Sequence, residues 1–256
     1  MCSMGHTARY RPQSCCVVGP LPVARLLLQI TLKSSGERHS GDSEMEPQVE
    51  ELKDASPNIG AAYEITVFDK DGNVKQVIKD DAKCFVQNFL RLVRYWFVNA
   101  NNVGDVGAPS GFKNLSGSVV QTTSALPPYN TIQFGSWLTN AGVGDLTRGI
   151  VAGSGSVAVT DDDYKLGSII TNGSGSGQLS YDSTVFNPVS IVGNTVTLTQ
   201  MRMTSNFTVN PIVISEIGLY MLGIITIMTI RDILVPSITL GAGESALIAY
   251  KIIING

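Results

Sequence analysis

The chain has 256 residues and a formal net charge of −3. That length holds one large domain or two small ones, and the near-neutral balance excludes a protein held to nucleic acid by a dense basic face. Hydrophobic residues at 43% exclude a disordered polyelectrolyte, while charged residues at 15% fall well short of the roughly 25% of soluble domains, a surface suited to cover by other subunits.

Residues 1–44 are mildly basic and hold both histidines, His6 and His39, and three of the four cysteines, Cys2, Cys15 and Cys16. The apolar run Val23 to Leu32 is interrupted by Arg25 and Gln29 and is followed by no small-residue cleavage site, so it does not read as a signal peptide. The cysteines fit free thiols in a loosely packed arm better than a disulfide framework, and a start at Met45 is compatible with the pattern. From Met45 onward there is no histidine and one cysteine, Cys84. The body of the chain therefore cannot build a Ser-His-Asp, Cys-His or Cys/His-zinc site. No cofactor is expected, and only carboxylate chemistry stays open.

Residues 46–58, acidic and with two prolines, read as a linker. Ala62 to Phe68 then alternates as a strand, Asp69-Lys-Asp-Gly-Asn73 is a turn, and Val74 to Lys79 is the return strand. Asp69, Asp71 and Asn73 stand at the first ligand positions of a calcium loop, but Val74 replaces its glycine and Asp80 its closing glutamate, so a plain hairpin is expected. A helix capped by Asp80 or Asp81 should follow, with Phe85, Phe89, Leu92, Val93, Trp96 and Phe97 on one face, packed on the hairpin, and a stop in Asn99–Gly104.

From Gly104 to the end no helix is predicted. Short runs rich in Val, Ile, Thr and Tyr alternate with turns of Gly, Ser and Asn. The expected strands are Val119–Thr123, Thr131–Phe134, Leu146–Ala152, Ile169–Ile170, Gln178–Tyr181, Val189–Val192, Thr195–Arg202, Ile212–Tyr220, Ile224–Leu234, Ser237–Leu240 and Ser245–Ile254. The fold class is mainly β: a β-sandwich of jelly-roll type preceded by a β-hairpin and one amphipathic helix. The chain divides into an arm and linker (1–58), hairpin plus helix (59–103) and sandwich (104–256). No apolar run reaches the ~20 residues of a membrane span; the longest, near Ile217–Ile230, ends at Arg231-Asp232.

The stretches Gly149-Ile-Val-Ala-Gly-Ser-Gly and Asn172-Gly-Ser-Gly-Ser-Gly lack the spacing of a nucleotide loop. Asp161, Asp162 and Asp163 are calcium candidates only if a turn wraps their oxygens round one ion, and an exposed acidic loop is the simpler expectation. A glycosidase pair among Asp145, Asp161–Asp163, Asp182, Glu216, Asp232 and Glu244 lacks the flanking aromatics of a sugar cleft, with Trp96 and Trp137 remote in sequence. Glu216 and Arg231 interrupt strongly apolar strands. Because an unpaired buried charge is costly, they are expected to form a structural ion pair across neighbouring strands.

The segments Asp80-Asp-Ala-Lys-Cys-Phe-Val-Gln-Asn-Phe-Leu-Arg-Leu, Gly149-Ile-Val-Ala-Gly-Ser-Gly, Asp162-Asp-Tyr-Lys-Leu, Gly177-Gln-Leu-Ser-Tyr, Ser215-Glu-Ile-Gly-Leu-Tyr, Arg231-Asp-Ile-Leu and Gly243-Glu-Ser follow one another in an order that resembles virion structural proteins of tailed phages and related archaeal viruses. The resemblance covers about residues 60–256. It implies a non-enzymatic β-rich subunit of a virus particle, on the capsid surface, as a turret, or as a portal- or tail-associated adaptor. Its partners would be copies of itself and other virion proteins, with no direct contact to nucleic acid and no catalytic residue. Two other roles fit the composition: a tail-fibre module that recognises host-surface glycans, and a cell-surface filament subunit that donates the strand containing Ile252–Ile254 to a neighbour.

Overall fold

The computed structural model describes residues 58–82, 84–98, 111–121, 138–223 and 225–256. The expectations for the arm, its cysteines, Thr131–Phe134, Trp137 and the helix stop lie outside these residues.

Strand β1 (Asn58–Phe68) places Ala61, Tyr63, Ile65 and Val67 on one buried face, as a period-two pattern requires. On the other face Glu64 pairs with Lys79 and Lys251 at 3.2 and 2.8 Å. The turn to β2 (Val74–Asp81) is closed by the Asp69 carboxylate, which accepts hydrogen bonds from the backbone N–H of Asp71 (2.9 Å) and Asn73 (2.8 Å). Gly72 takes the left-handed conformation, φ 84°. The expected plain hairpin is the observed one.

β2 runs through Asp80 and Asp81, so neither aspartate caps the helix. Helix α1 (Gln87–Val98) begins later, and main chain of a strand and of a loop distant in the chain satisfies its entry. The Val86 N–H donates to the Thr229 carbonyl (3.1 Å) and the Gln87 N–H to the Asp161 carbonyl (2.7 Å), so main-chain oxygens replace a side-chain cap. The helix does not pack chiefly on the hairpin. Leu92 meets Phe112 and Ile227, on β3 (Gly111–Lys113) and β11 (Thr226–Leu240). Buried Asn88 holds β3 from the side: its amide donates to the Lys113 carbonyl (2.8 Å) and accepts from the Lys113 N–H (2.9 Å). Among the described residues β3 pairs only with β4 (Val119–Gln121).

The rest is antiparallel sheet. The large sheet runs β2-β1-β12-β9, with β12 (Ser245–Asn255) and β9 (Thr195–Ser205). Three short strands follow the far edge of β9: β6 (Ser180–Tyr181), β7 (Val185–Phe186) and β8 (Ser190–Val192). The small sheet has the order β11-β10-β5, with β10 (Ile212–Leu222) and β5 (Gly149–Gly153). Ile65, Ile248 and Tyr250 of the large sheet and Ile150, Ile214, Ile217 and Ile238 of the small one share a single core, the signature of a sandwich. Its sheets are of seven and three strands among the described residues, so this arrangement does not establish the paired four-stranded sheets of a jelly roll. The hairpin, expected to precede the sandwich, is built into it, because β1 pairs with β12 from Asn58–Asn255 to Phe68–Ser245.

The two strands expected at 224–234 and 237–240 are one. β11 continues through Pro236, preceded by a cis peptide bond. Leu234–Ser237 bulge opposite Ser215, since Ile233 pairs with Glu216 and Ile238 with Ile214. Ile169 makes an isolated bridge to Gly153 and no strand.

Candidate functional site

Glu216 on β10 and Arg231 on β11 come together as expected. Arg231 lies opposite Gly218, two residues along from Glu216, a diagonal spacing that long side chains span. The Arg231 Nε and Nη2 groups donate to Glu216 Oε2 at 3.0 and 2.8 Å. Both side chains are out of solvent, Glu216 completely and Arg231 at 3%. The remaining guanidinium contacts reach into the loop after β5: Nη1 donates to Asp163 Oδ2 (2.7 Å) and Nη2 to the Val157 carbonyl (3.1 Å).

Three backbone amides complete the shell of the glutamate. Gly155 and Ser168 donate to Oε1 at 2.9 and 2.8 Å, and Gly167 to Oε2 at 3.0 Å. A Cβ on Gly155 would stand 2.3 Å from Oε1, so the glycine-rich segment after β5 exists here to bring main chain onto a carboxylate. With five donors on its two oxygens, Glu216 has every acceptor position taken. Burial alone would lower the Arg231 pKa, but the hydrogen bonds and charges of Asp163 and Glu216 outweigh it and hold the guanidinium above its ordinary range. The cluster is a latch that ties the 154–168 loop to the centre of the small sheet.

The three adjacent aspartates do not share an ion. Asp161 gives its main-chain carbonyl to α1, Asp162 forms an ion pair with Lys113, and Asp163 is bound to Arg231 and to the Thr160 N–H and hydroxyl. The calcium reading of Asp161, Asp162 and Asp163 is corrected on this ground: the carboxylates of Asp162 and Asp163 are taken by different partners, Lys113 and Arg231. Among the described residues no group of three or more His, Cys, Asp or Glu side chains is placed to hold a metal.

Two further charged side chains are buried: Asp232, which stands beside Arg231 in an apolar strand as the sequence shows, and Arg202, which the sequence pattern did not single out. Arg202 on β9 is fully buried and, among the described residues, donates to main-chain carbonyls, of Asp182 (2.7 Å), Ile150 (3.0 Å) and Gly142 (3.0 Å), with the Tyr181 ring 5.0 Å away. Burial lowers its pKa, opposed by the charges of Tyr181, Asp145 and Asp182. Asp232 on β11 is buried and accepts the Tyr250 hydroxyl at 2.9 Å. A signal for Arg202 was available: at steps of two along β9 it shares a face with Gln200 and Thr204, all buried.

Among the described residues, charge is absent from one end of the large sheet. No residue from Ser183 to Met201 is charged, yet Val185, Phe186, Val189, Ile191 and Val192 are 51–74% exposed. The opposite edge of the same sheet, β2, carries Lys75, Lys79, Asp80 and Asp81, the usual protection of an edge strand.

No family model matches the chain, and neither a curated protein nor a solved structure matches it.

Proposed function

We propose that this protein is a non-enzymatic structural subunit of a virus particle, assembled through symmetric contacts between copies and placed on the capsid surface or as a portal- or tail-associated adaptor. The observation that carries the reading is the uncharged, apolar end of the large sheet, beside an interior in which the Glu216–Arg231–Asp163 cluster is satisfied within the chain. Contiguous exposed apolar surface marks contact with another macromolecule, and uncharged groups lose little on desolvation when a subunit covers them. Arg231, Glu216 and Asp163, by contrast, satisfy each other and the adjoining loops. In this role the latch keeps a small-sheet loop in one shape while neighbouring subunits pack round it. The placement in a particle rests on the resemblance of the order of its sequence segments to that of virion structural proteins. Partners would be further copies and other virion proteins.

The filament alternative by strand donation is disfavoured, because β12 has partners on both edges, β1 and β9, over Asn255 to Ser245. The glycan-binding alternative looks to exposed Trp or Tyr rings; the aromatic side chains exposed among the described residues include Phe186 and Phe207. Among the described tyrosine side chains Tyr63, Tyr181, Tyr220 and Tyr250 are buried, leaving Tyr164 in part accessible.

The test is the mass of the full chain by light scattering, with symmetry read by electron microscopy. The reading expects closed oligomers of defined symmetry. A chain that stays monomeric at high concentration, or that turns over a polysaccharide through one of its acids, refutes it.

A further inference from the structure

We propose that the core-side face of the large sheet, where it projects beyond the small sheet, is a docking surface for the same face of a second copy of this chain, related by a two-fold axis. The proposal rests on the assembly reading above and names the surface that performs it.

The face is identified by register. Ile59, Ile254, Val196 and Ile191 lie in one row across β1, β12, β9 and β8, and Ile252 and Leu198 lie in the next. Directly paired residues in antiparallel strands share a face, and steps of two keep to it. Ile59 is thus on the face of Tyr63 and Ile65, Ile254 on that of Ile248 and Tyr250, and Leu198 on that of Arg202. These are the side chains that fill the sandwich core. The covering layer runs out along the strands. On β9 exposure climbs from 0% at Thr204 and Arg202 to 8% at Gln200 and 39% at Leu198, and Ile191 on β8 reaches 70%. On β12 Ile248 and Tyr250 are at 0%, while Ile252 and Ile254 are partly exposed. Among the described residues the core face continues past the small sheet with only partial cover, Ile59, Val196, Ile252 and Ile254 being partly exposed and Leu198 and Ile191 exposed.

An independent sign sits at the boundary. Gln200, in the row with Tyr250 and Phe186, is 8% exposed, and its Nε2 group is the one buried side-chain polar atom among the described residues without a hydrogen-bond partner. Buried donors are normally satisfied, so an acceptor is missing beside the uncovered rows.

Charge selects the occupant. No charged residue lies on β7, β8, the first seven residues of β9, the last four of β12 or the first six of β1. A nucleic acid, an acidic peptide or the charged β2 edge would find no counter-charge there. The same apolar end of another copy desolvates no ion, and a two-fold axis makes every contact twice from one self-complementary patch. A carbonyl or amide oxygen of the partner then supplies the acceptor for Gln200.

The experiment compares full-length wild type with Ile191→Lys, Leu198→Lys and a control on the charged edge, Val77→Lys, by light scattering over a dilution series. Circular dichroism melts show that each variant folds. Expected are a wild-type mass built of paired protomers and an unchanged control. Ile191→Lys and Leu198→Lys should halve the mass, or weaken self-association at least about tenfold, as charges introduced at a contact centre do. If both lysine variants keep the wild-type oligomer, this surface is not the contact, although assembly by another surface stands. If the wild type is monomeric throughout, both this inference and the assembly reading fall, and another segment of the chain or another protein is the cover.

Discussion

Glu216→Gln tests the latch with little change of shape. The carboxylate accepts from Gly155 and Ser168 on one oxygen, and from Gly167, Arg231 Nε and Arg231 Nη2 on the other. Glutamine keeps one acceptor oxygen. Whichever way its amide turns, an NH2 group then faces at least two N–H donors and offers them nothing. Arg231 keeps Asp163 and the Val157 carbonyl but loses its fully buried counter-charge. Removing one member of a buried pair costs about 3–5 kcal/mol. Each orphaned donor costs about 1–3 kcal/mol on its own, but these contributions overlap because they share one site. The expected total is about 3–5 kcal/mol, a fall of roughly 6–20 °C in Tm for a chain of this size. The assay is urea unfolding at one protomer concentration, because self-association contributes to apparent stability. Arg231→Met should cost a similar amount. The double variant should cost less than the two together by at least about 1 kcal/mol, since neither charge is left without the other. Glu216→Gln within about 0.5 kcal/mol of wild type, or strict additivity in the cycle, would show that the pair is not coupled and refute the reasoning.

Gly155→Ala places a methyl 2.3 Å from Glu216 Oε1 and should cost about 1–3 kcal/mol by displacing the loop, read as a lower urea midpoint. Arg202→Met strands the carbonyls of Gly142, Ile150 and Asp182; a loss of about 3 kcal/mol is expected, and Arg202→Lys should recover only part of it, because a single ammonium does not span three separated oxygens as a guanidinium fork does. Tyr63 is pushed up to about 12 by burial first and then by the charges of Asp80 and Asp232, and Tyr250 is pushed up by burial and by Asp232. Folded values above the unfolded value of 10 mean that this stability is complete below pH 10 and is lost as pH rises through 10 to 12; tyrosinate absorbance should therefore appear together with unfolding, and titration of these tyrosines near 10 in the still-folded protein would contradict it. Calcium or a chelator should leave the melting temperature unchanged, since Asp162 and Asp163 are already paired with Lys113 and Arg231; a calcium-dependent rise would reinstate a metal site.

Local pattern carried much of this protein. Period-two alternation marked β1, β9, β10 and β12 and which residues of each share a face, because a strand presents successive side chains to opposite sides whatever it later pairs with. The turn at Asp69–Asn73 was legible because its hydrogen bonds close within five residues. The Glu216–Arg231 pair was legible because two charges in apolar strands must find each other or pay for burial unpaired. Long-range packing decided the rest. Three adjacent aspartates look alike in sequence, and only the placement of the 154–168 loop over the small sheet gave Asp163 to Arg231 and Asp162 to Lys113. Asp80 and Asp81 had the chemistry of a helix cap, yet pairing with β1 drew them into β2, where ladder hydrogen bonds between strands outweigh a single cap. The projecting face was invisible in any one strand, since it arises where four strands in register outrun the sheet that covers them. Amino-acid order sets which way each side chain points along its own strand; how far one layer reaches over another depends on lengths and registers summed across segments distant in the chain.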